Sequence, residues 1–600
     1  MCGIAGVIGS KGSPKEQITV LHDMQQTLKR RGPNQQGTYT SNGASLIHTR
    51  LCVIDTENGK LPMEFAQHVL VCNGTIYNAP ELRKELETLG HKFRSRSDAE
   101  VLLHSYVEWK ESCVDRLNGV FAFAVWDNKN HSLFFARDRI GVKPLFYARR
   151  DGVFIFASEI KTILAHPLIK PEIDTNTIAE IMLLGPGRTS GCGVFKGIEE
   201  LMPGFYGDYK DSNLKLRRYW HMQDKPHTDS FDQTVEKTRV LLLDSIKRQM
   251  VSDVPIGTFL SGGVDSSVIS AVANGHLQKE NKTLHTFSVD YKDNAQFFEA
   301  NRFQPGDDRP YIEEMVKFLG SEHHQIILDT DELADALYAA ADARDLPGMA
   351  DIDASLLLFS KKVKEHVSVA LSGECADELF GGYPWYRDKD IREYEGFPWS
   401  RSTDYRASFL RPELAIDADE YIRERYARTI AGSDILPGTS PLERRMKEMV
   451  NLNFHWFMQT LLDRNDRMTM YSGLEVRVPF CDYRIVEYLY TVPWEMKDYQ
   501  GREKGLLRHA MDGLLPENVL WRKKSPYPKT HNPSYLKVVQ GMLREVIADP
   551  NAPILQFIRK EALESLLNEA RPIPWYGQLM TTPQTIAYFL QFDYWLRSCF

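Results

Sequence analysis

No stretch of this 600-residue chain approaches the roughly eighteen consecutive apolar residues of a membrane-crossing helix, so no transmembrane span and no membrane partner are expected. The N-terminus lacks a basic segment followed by an apolar one, the plan of a secretory leader. Cysteine is sparse: positions 2, 52, 72, 113, 192, 375, 481 and 599, with no Cys-x-x-Cys pair. That spread fits neither a disulfide framework nor a structural zinc site, and it suits the cytoplasm. Nor is there an excess of basic residues. The formal net charge of -8 speaks against a nucleic-acid partner. What remains, 42% hydrophobic and 26% charged, is the composition of a globular protein with two large or roughly three to four ordinary domains.

The strongest local signal is Pro255-Ile-Gly-Thr-Phe-Leu-Ser-Gly-Gly-Val-Asp-Ser-Ser267. Ile256 to Leu260 reads as a short buried strand, and Ser266 to Asn274 as a helix closed by Gly275. Gly262 and Gly263 let the intervening backbone bend sharply and approach an anion. The free N–H groups of the helix start, with the Ser261 and Ser266 hydroxyls, would face that anion. Asp265 would repel a bare phosphate, so it is expected to cap the helix or to hold Mg²⁺. No Gly-Lys-Ser/Thr follows, which excludes a Walker loop. The string resembles the pyrophosphate loop of ATP-pyrophosphatase enzymes, which cleave ATP to AMP and pyrophosphate.

The chain opens Met1-Cys2-Gly3-Ile4-Ala5-Gly6-Val7-Ile8. Trimming of Met1 would leave Cys2 with its own base, because an α-amine of pKa about 7.7–8.0 can accept a proton from a thiol of about 8.5. Further blocks follow in order: Arg30 to Gly37, Arg50 to Asp55, Gly59 to Met63, Asn73-Gly-Thr-Ile-Tyr-Asn78, and Ser97 to Glu100. Phe121 to Trp126, Ala136 to Tyr147 and Phe156 to Glu159 complete the series. These blocks resemble the class II, N-terminal-nucleophile glutaminase domain, an α+β fold of αββα sandwich type. The resemblance implies Cys2 as nucleophile, with the Asn73 side chain and Gly74 N–H stabilising the oxyanion. It places Arg50, Leu51, Ile54, Thr75 and Asp98 around glutamine, Arg50 on the α-carboxylate and Asp98 on the α-ammonium. Asp98 also suits helix capping beside a Ser97/Glu100 capping box. Asn34, Leu61 and Thr75 depart from the family, which carries Asp, Gln and Glu there. Losing the Glu carboxylate removes a charge-assisted bond of about 1.5–3 kcal/mol, so a raised KM for glutamine is expected.

Residues 1–220 read as one domain ending in the hairpin from Pro203-Gly-Phe205 to Arg218-Tyr-Trp220, and 221–230 as a linker. From 231 to 600, alternating helices and short strands suggest parallel α/β architecture. His323 and His324 are expected to precede a strand and read as ordinary surface histidines. Val367 to Tyr383 reads as a strand running into Ser372-Gly373 and a helix start bearing Glu374, Asp377 and Glu378. Three acids on one turn repel unless Mg²⁺ or a reacting ammonia balances them. Asp466 to Met470 and Leu474 to Asp482 form a third block. Lys504 by itself reads as a surface lysine, and Arg522-Lys-Lys524 as a loop near a nucleotide or a solvated patch.

Over nearly its whole length the chain resembles the glutamine-hydrolysing asparagine synthetase family. The resemblance implies an α/β ATP-pyrophosphatase (adenine nucleotide α-hydrolase-like, parallel-sheet) second domain, ATP and Mg²⁺, and glutamine and aspartate as further substrates. It implies a homodimer and an internal ammonia channel between two sites. ATP would lie on Leu260, Ser261, Gly262, Gly263, Asp265, Ser266, Val289, Ser372, Gly373 and Lys504, with Asp265 and Asp377 on the metal and Glu374 assisting the attack of ammonia. Two other readings stay open at this level: a synthetase of the same fold acting on a different carboxylate, and a regulatory protein with a decayed glutaminase.

Overall fold

The computed structural model describes residues 2–9, 14–298, 306–568 and 574–599. Two six-stranded antiparallel sheets lie face to face in the first part of the chain. In one, the strand Cys2–Ile8 sits between Ala44–Arg50 and Val153–Ala157. In the other, His68–Ile76 pairs with Gly119–Asp127 along nine residues. Ile4, Leu46, Val71, Ala124 and Phe154 fill the space between the sheets. The helices Pro14–Leu28 and Ile160–Leu164 cover the outside of the first sheet, and Ala79–Thr88 and Asp98–Trp109 that of the second. Both faces of every central strand are therefore buried, and these strands read as apolar runs rather than alternations. This is the expected αββα sandwich.

Beyond it stands a five-stranded parallel sheet in the order Glu322–Leu328, His285–Tyr291, Ile256–Phe259, Val369–Leu371, Glu475–Arg477. In such sheets ligands gather at the carboxyl ends of the strands. Residues 221–230 carry no helix or strand, yet Asp224 is buried there against Lys447 at 2.6 Å. Among the described residues no helix is long and apolar enough to cross a membrane.

Four local expectations change. The helix after the glycine loop starts at Val264 and runs through Gly275 to Gln278, because Val272, Ala273 and Leu277 bury one continuous face. Glu374 is not on a helix: the helix Ala376–Phe380 begins after Cys375, whose φ of 77° breaks the run. His323 and His324 lie inside the edge strand Glu322–Leu328 rather than before it. Cys375 and Cys481 form a disulfide with Cα atoms 6.0 Å apart. They follow the carboxyl ends of the paired strands Val369–Leu371 and Glu475–Arg477, so sheet pairing brings together what 106 residues separate.

The two halves meet on a buried helix, Met458–Tyr471. Its Asp466 accepts Arg31 at 2.7 Å and Lys143 at 2.9 Å, both from the first half. Arg467 reaches Glu159 and Asp345 at 3.2 Å each, and Asp463 meets Arg188 at 3.2 Å. Removing one member of a buried pair strands the other charge. Asp466→Asn should therefore cost about 3–5 kcal/mol in urea unfolding, and a loss below about 1 kcal/mol would show that the network does not hold the halves together.

Two candidate active sites in one chain

The register of the first sheet sets Cys2 opposite Arg50 and Ile4 opposite His48. Side chains at alternate positions share a face, so Cys2, His48 and Arg50 all point toward the second sheet. There the strand His68–Ile76 delivers Asn73, Gly74 and Thr75. The Cys2 backbone nitrogen donates to Asn73 Oδ1 at 3.0 Å, while the buried Asn73 Nδ2 has no hydrogen-bond partner among the described residues. A buried amide donor left open beside a thiol is what a developing oxyanion satisfies. Gly74 has φ 155°, and a Cβ there would meet the Val120 carbonyl oxygen at 2.1 Å, so no other residue fits.

Burial pushes the Cys2 thiol up, but the His48 imidazole, the chain's amino-terminal charge and the Leu51 backbone N–H outweigh it and bring its pKa down to about 7. His48 holds the Cys72 carbonyl through Nε2 at 3.0 Å, and its imidazole faces the Cys2 thiol. Nothing local in the sequence marks His48; only strand register reveals it.

Arg50 is clamped by Gln35 Oε1 at 2.9 Å and by the carbonyls of Ile54, Asp55 and Thr56 at 2.9, 2.7 and 3.3 Å. These acceptors are all neutral, which leaves a rigid, uncompensated cation in the cavity. Leu51, Ile54, Gly74, Thr75 and Asp98 line that cavity with Cys2 and Arg50. Asp98 Oδ2 accepts the Ile76 N–H at 2.9 Å, tying its helix to the end of the Asn73 strand. The capping box does not form. Ser97 Oγ accepts Ala99 N–H at 3.1 Å, but Glu100 turns back to the N–H groups of Arg94 and Ser95.

One further carboxylate lines this cavity, and it comes from the other half of the chain: Glu475, on the fifth strand of the parallel sheet. Burial raises its pKa, but the amino-terminal charge and Arg477, bonded at 2.7 Å, pull it down to about 2. It is thus an ionised group in a pocket where Thr75 carries no charge.

The second cavity, about 300 Å³, opens at the carboxyl ends of the parallel strands. Leu260, Ser261, Gly263, Asp265, Ser266, Val289, Ser372, Gly373 and Lys504 line it. Gly262 does not; with φ 68° and Tyr311 Cβ 2.8 Å from any added Cβ, it makes the bend. Ser266 Oγ bonds Ser261 N at 3.2 Å and Ser261 Oγ at 3.0 Å, closing the loop on itself. Asp265, in the first turn of its helix behind the N-cap Gly263, does not cap it.

Lys504 is buried, not a surface lysine. Its Nζ bridges Asp265 Oδ2 at 2.5 Å and Asp377 Oδ1 at 2.6 Å, and Lys524 reaches Asp377 Oδ2 at 2.6 Å. Burial raises the Asp377 carboxyl, but the two ammonium groups override it and hold it well below the usual range. The Asp265 Oδ1 atom is buried without a hydrogen-bond partner among the described residues. Two carboxylates that share one cation, one with an open oxygen, suit a hard divalent ion. Arg522 donates to the Ser261 carbonyl at 3.3 Å and pairs with Asp308. The basic run therefore belongs to the cavity rather than to a solvated patch. Glu374 faces the same space, with Arg464 of the interface helix at 3.8 Å.

A nucleophile with an oxyanion pocket and an anion loop with paired carboxylates define a glutamine amidotransferase joined to an ATP-dependent synthetase. The chain matches the glutamine amidotransferase domain family over residues 1–220 and the asparagine synthase family over 237–597. It is 46% identical to glutamine-hydrolyzing asparagine synthetase 3 of Bacillus subtilis, over 100% of this chain and 99% of that protein. It is 32% identical to synthetase 1 of the same organism, over 88% and 87%, and 27% identical to synthetase 3 of Arabidopsis thaliana, over 88% and 78%. The chain belongs to the glutamine-hydrolysing asparagine synthetase family.

Glu378 is no solvated helix end. It is buried, accepts the Tyr383 hydroxyl at 2.8 Å, and its pKa is pushed up to about 8 by burial and by the Asp377 and Glu374 charges. A carboxyl raised in the folded state stabilises below its ordinary value near 4.5, and that contribution is lost as pH rises through about 8. Glu378→Gln should therefore unfold at a higher temperature than the wild type above about pH 8, with the difference vanishing at acid pH. A difference independent of pH would show that Glu378 does not carry this proton.

Proposed function

We propose that this enzyme forms L-asparagine from L-aspartate, with ATP spent to AMP and pyrophosphate and nitrogen taken from glutamine. The reading rests above all on one observation: the Cys2 pocket, with its open Asn73 amide, and the Asp265–Lys504–Asp377 cluster occur in one chain across an ion-paired interface. Residues 1–220 act as the glutaminase, 221–230 as the connection and 231–600 as the synthetase. A cytoplasmic homodimer is what the family resemblance implies.

After removal of Met1, which lies outside the described residues, the Cys2 amine takes the thiol proton. The thiolate adds to the carboxamide carbon of glutamine, and Asn73 Nδ2 and the Gly74 N–H hold the oxyanion. Return of the proton to the departing nitrogen releases ammonia and leaves a thioester, which water hydrolyses to glutamate. Arg50 binds the α-carboxylate as a planar two-pronged donor, with Leu51 and Ile54 as the apolar wall. Asp98 and Glu475 bind the α-ammonium, so the synthetase half supplies the charge that Thr75 lacks.

In the second cavity the aspartate β-carboxylate attacks the α-phosphorus of ATP, giving β-aspartyl-AMP and pyrophosphate. Ser261, Gly263, Ser266 and Lys504 hold the phosphates, and Leu260, Val289, Ser372 and Gly373 the nucleoside. Mg²⁺, held by Asp265 and Asp377, would neutralise phosphate charge. Ammonia then attacks the acyl carbon and AMP leaves, with Glu374 taking the surplus proton. Excluding water between the cavities keeps ammonia unprotonated and the acyl-adenylate unhydrolysed.

Cys2→Ala should abolish asparagine formation from glutamine and leave formation from ammonia near the wild-type rate; loss of both would refute the division of labour. Glu475→Gln should raise the KM for glutamine roughly tenfold to a hundredfold while sparing the KM for ammonia, and Thr75→Glu in that background should restore it. An unchanged glutamine KM in Glu475→Gln would remove Glu475 from the site.

A further inference from the structure

We propose that His285, Glu322 and His324 form a binding site for a divalent transition-metal ion, zinc above all, at the end of the parallel sheet opposite the nucleotide cavity. Read along the chain, His324 has only His323 beside it. In the fold it meets His285, 39 residues away, because the strands His285–Tyr291 and Glu322–Leu328 pair in parallel. His285 lies opposite Glu322 and Phe287 opposite His324, so all four side chains share one face.

The three donor atoms are already spaced for a metal. His285 Nδ1 lies 3.1 Å from His324 Nε2 and 3.8 Å from Glu322 Oε1, and His324 Nε2 lies 3.5 Å from that same oxygen. Ligands bound to zinc at about 2.0–2.2 Å with tetrahedral angles stand roughly 3.3–3.5 Å apart. Shifts of a few tenths of an ångström would complete the triangle. Aromatic packing holds the rings: His324 stacks on Phe287, with centroids 4.9 Å apart, and meets the tilted ring of His366 at 4.0 Å.

Two imidazoles and one carboxylate favour zinc, cobalt, nickel or copper over magnesium. The Glu322 side chain is 57% exposed and that of His285 27%, so an ion and a fourth, water ligand can enter from solvent. His323 points to the other face, where Thr286 and Ser288 hydroxyls engage its ring at 3.0 Å each. The site shares no residue with the nucleotide cavity, whose nearest lining residues on these strands are Phe287 and Gln325, and it lies at the opposite, amino-terminal end of the two strands. A bound ion would clip the edge strand Glu322–Leu328 to its neighbour at the end where the pairing starts.

The test uses full-length protein stripped with chelator and titrated with zinc chloride against a chromophoric competitor, with cobalt(II) absorption as a second readout. The wild type should bind one zinc per chain at this cluster and give the intense visible bands of four-coordinate cobalt with nitrogen and oxygen ligands. Outer-shell losses already weaken metal sites 10–100-fold, so the double variant His285→Gln/His324→Gln should lose at least about a hundredfold in affinity while making asparagine from ammonia normally. The exposed Glu322→Gln, which leaves the rings in place, should lose about tenfold or more. No stoichiometric zinc on the wild type, or equal binding by the double variant, overturns the proposal.

Discussion

The structure depends on a helix that both halves must satisfy. Met458–Tyr471 carries Asp463, Arg464, Asp466 and Arg467, and each finds its partner on a different element. Buried charges are costly unless paired, so the halves are driven to the one docking geometry that pairs them all. The same helix reaches both reaction centres. Through Asp466 it fixes Arg31, whose Nε donates to the Cys2 carbonyl at 3.1 Å, and through Arg464 it approaches Glu374 at 3.8 Å. The positions of Cys2 and of Glu374 are thus both tied to one buried helix.

A second consequence of this docking is that the Cys2 cavity is not built by the first half alone. The glutamine pocket takes Glu475 from the parallel sheet. The Asp345 carboxylate of the second half is tied to Lys161 at 2.9 Å and accepts the Ile160 N–H at 2.8 Å, so it caps a helix of the first. Leu346, next to Asp345, is buried in the core. The interface described by these contacts is a network of buried ion pairs.

Electrostatics divides the roles in the synthetase cavity. Asp377 faces two ammonium groups and stays ionised, while Glu378 next to it looks into apolar surroundings and keeps its proton. Two acids adjacent in sequence thus differ because neighbouring helix positions point about 100° apart, Asp377 toward Lys504 and Lys524 and Glu378 toward Tyr383. The acidic cluster read as mutual repulsion from the sequence is resolved by Lys504 and Lys524, which arrive from elements more than a hundred residues away.

The sequence by itself determined the two folds and the family, and it singled out the candidates whose chemistry is local: Cys2 near the terminus, Asn73-Gly74, and the loop from Ser261 to Ser266. These depend on backbone demands that particular residue types meet, such as φ 155° at Gly74 or a tight turn at Gly262, and so they are written in short strings. The tertiary structure alone decided the rest. His48 beside Cys2, Glu475 in the glutamine pocket, Lys504 between two aspartates, the Cys375–Cys481 bond and the His285–Glu322–His324 triangle are pairings across long sequence separations. A single chain carries no mark of such partners, because what joins them is strand register and domain docking, and neither is encoded in neighbouring residues.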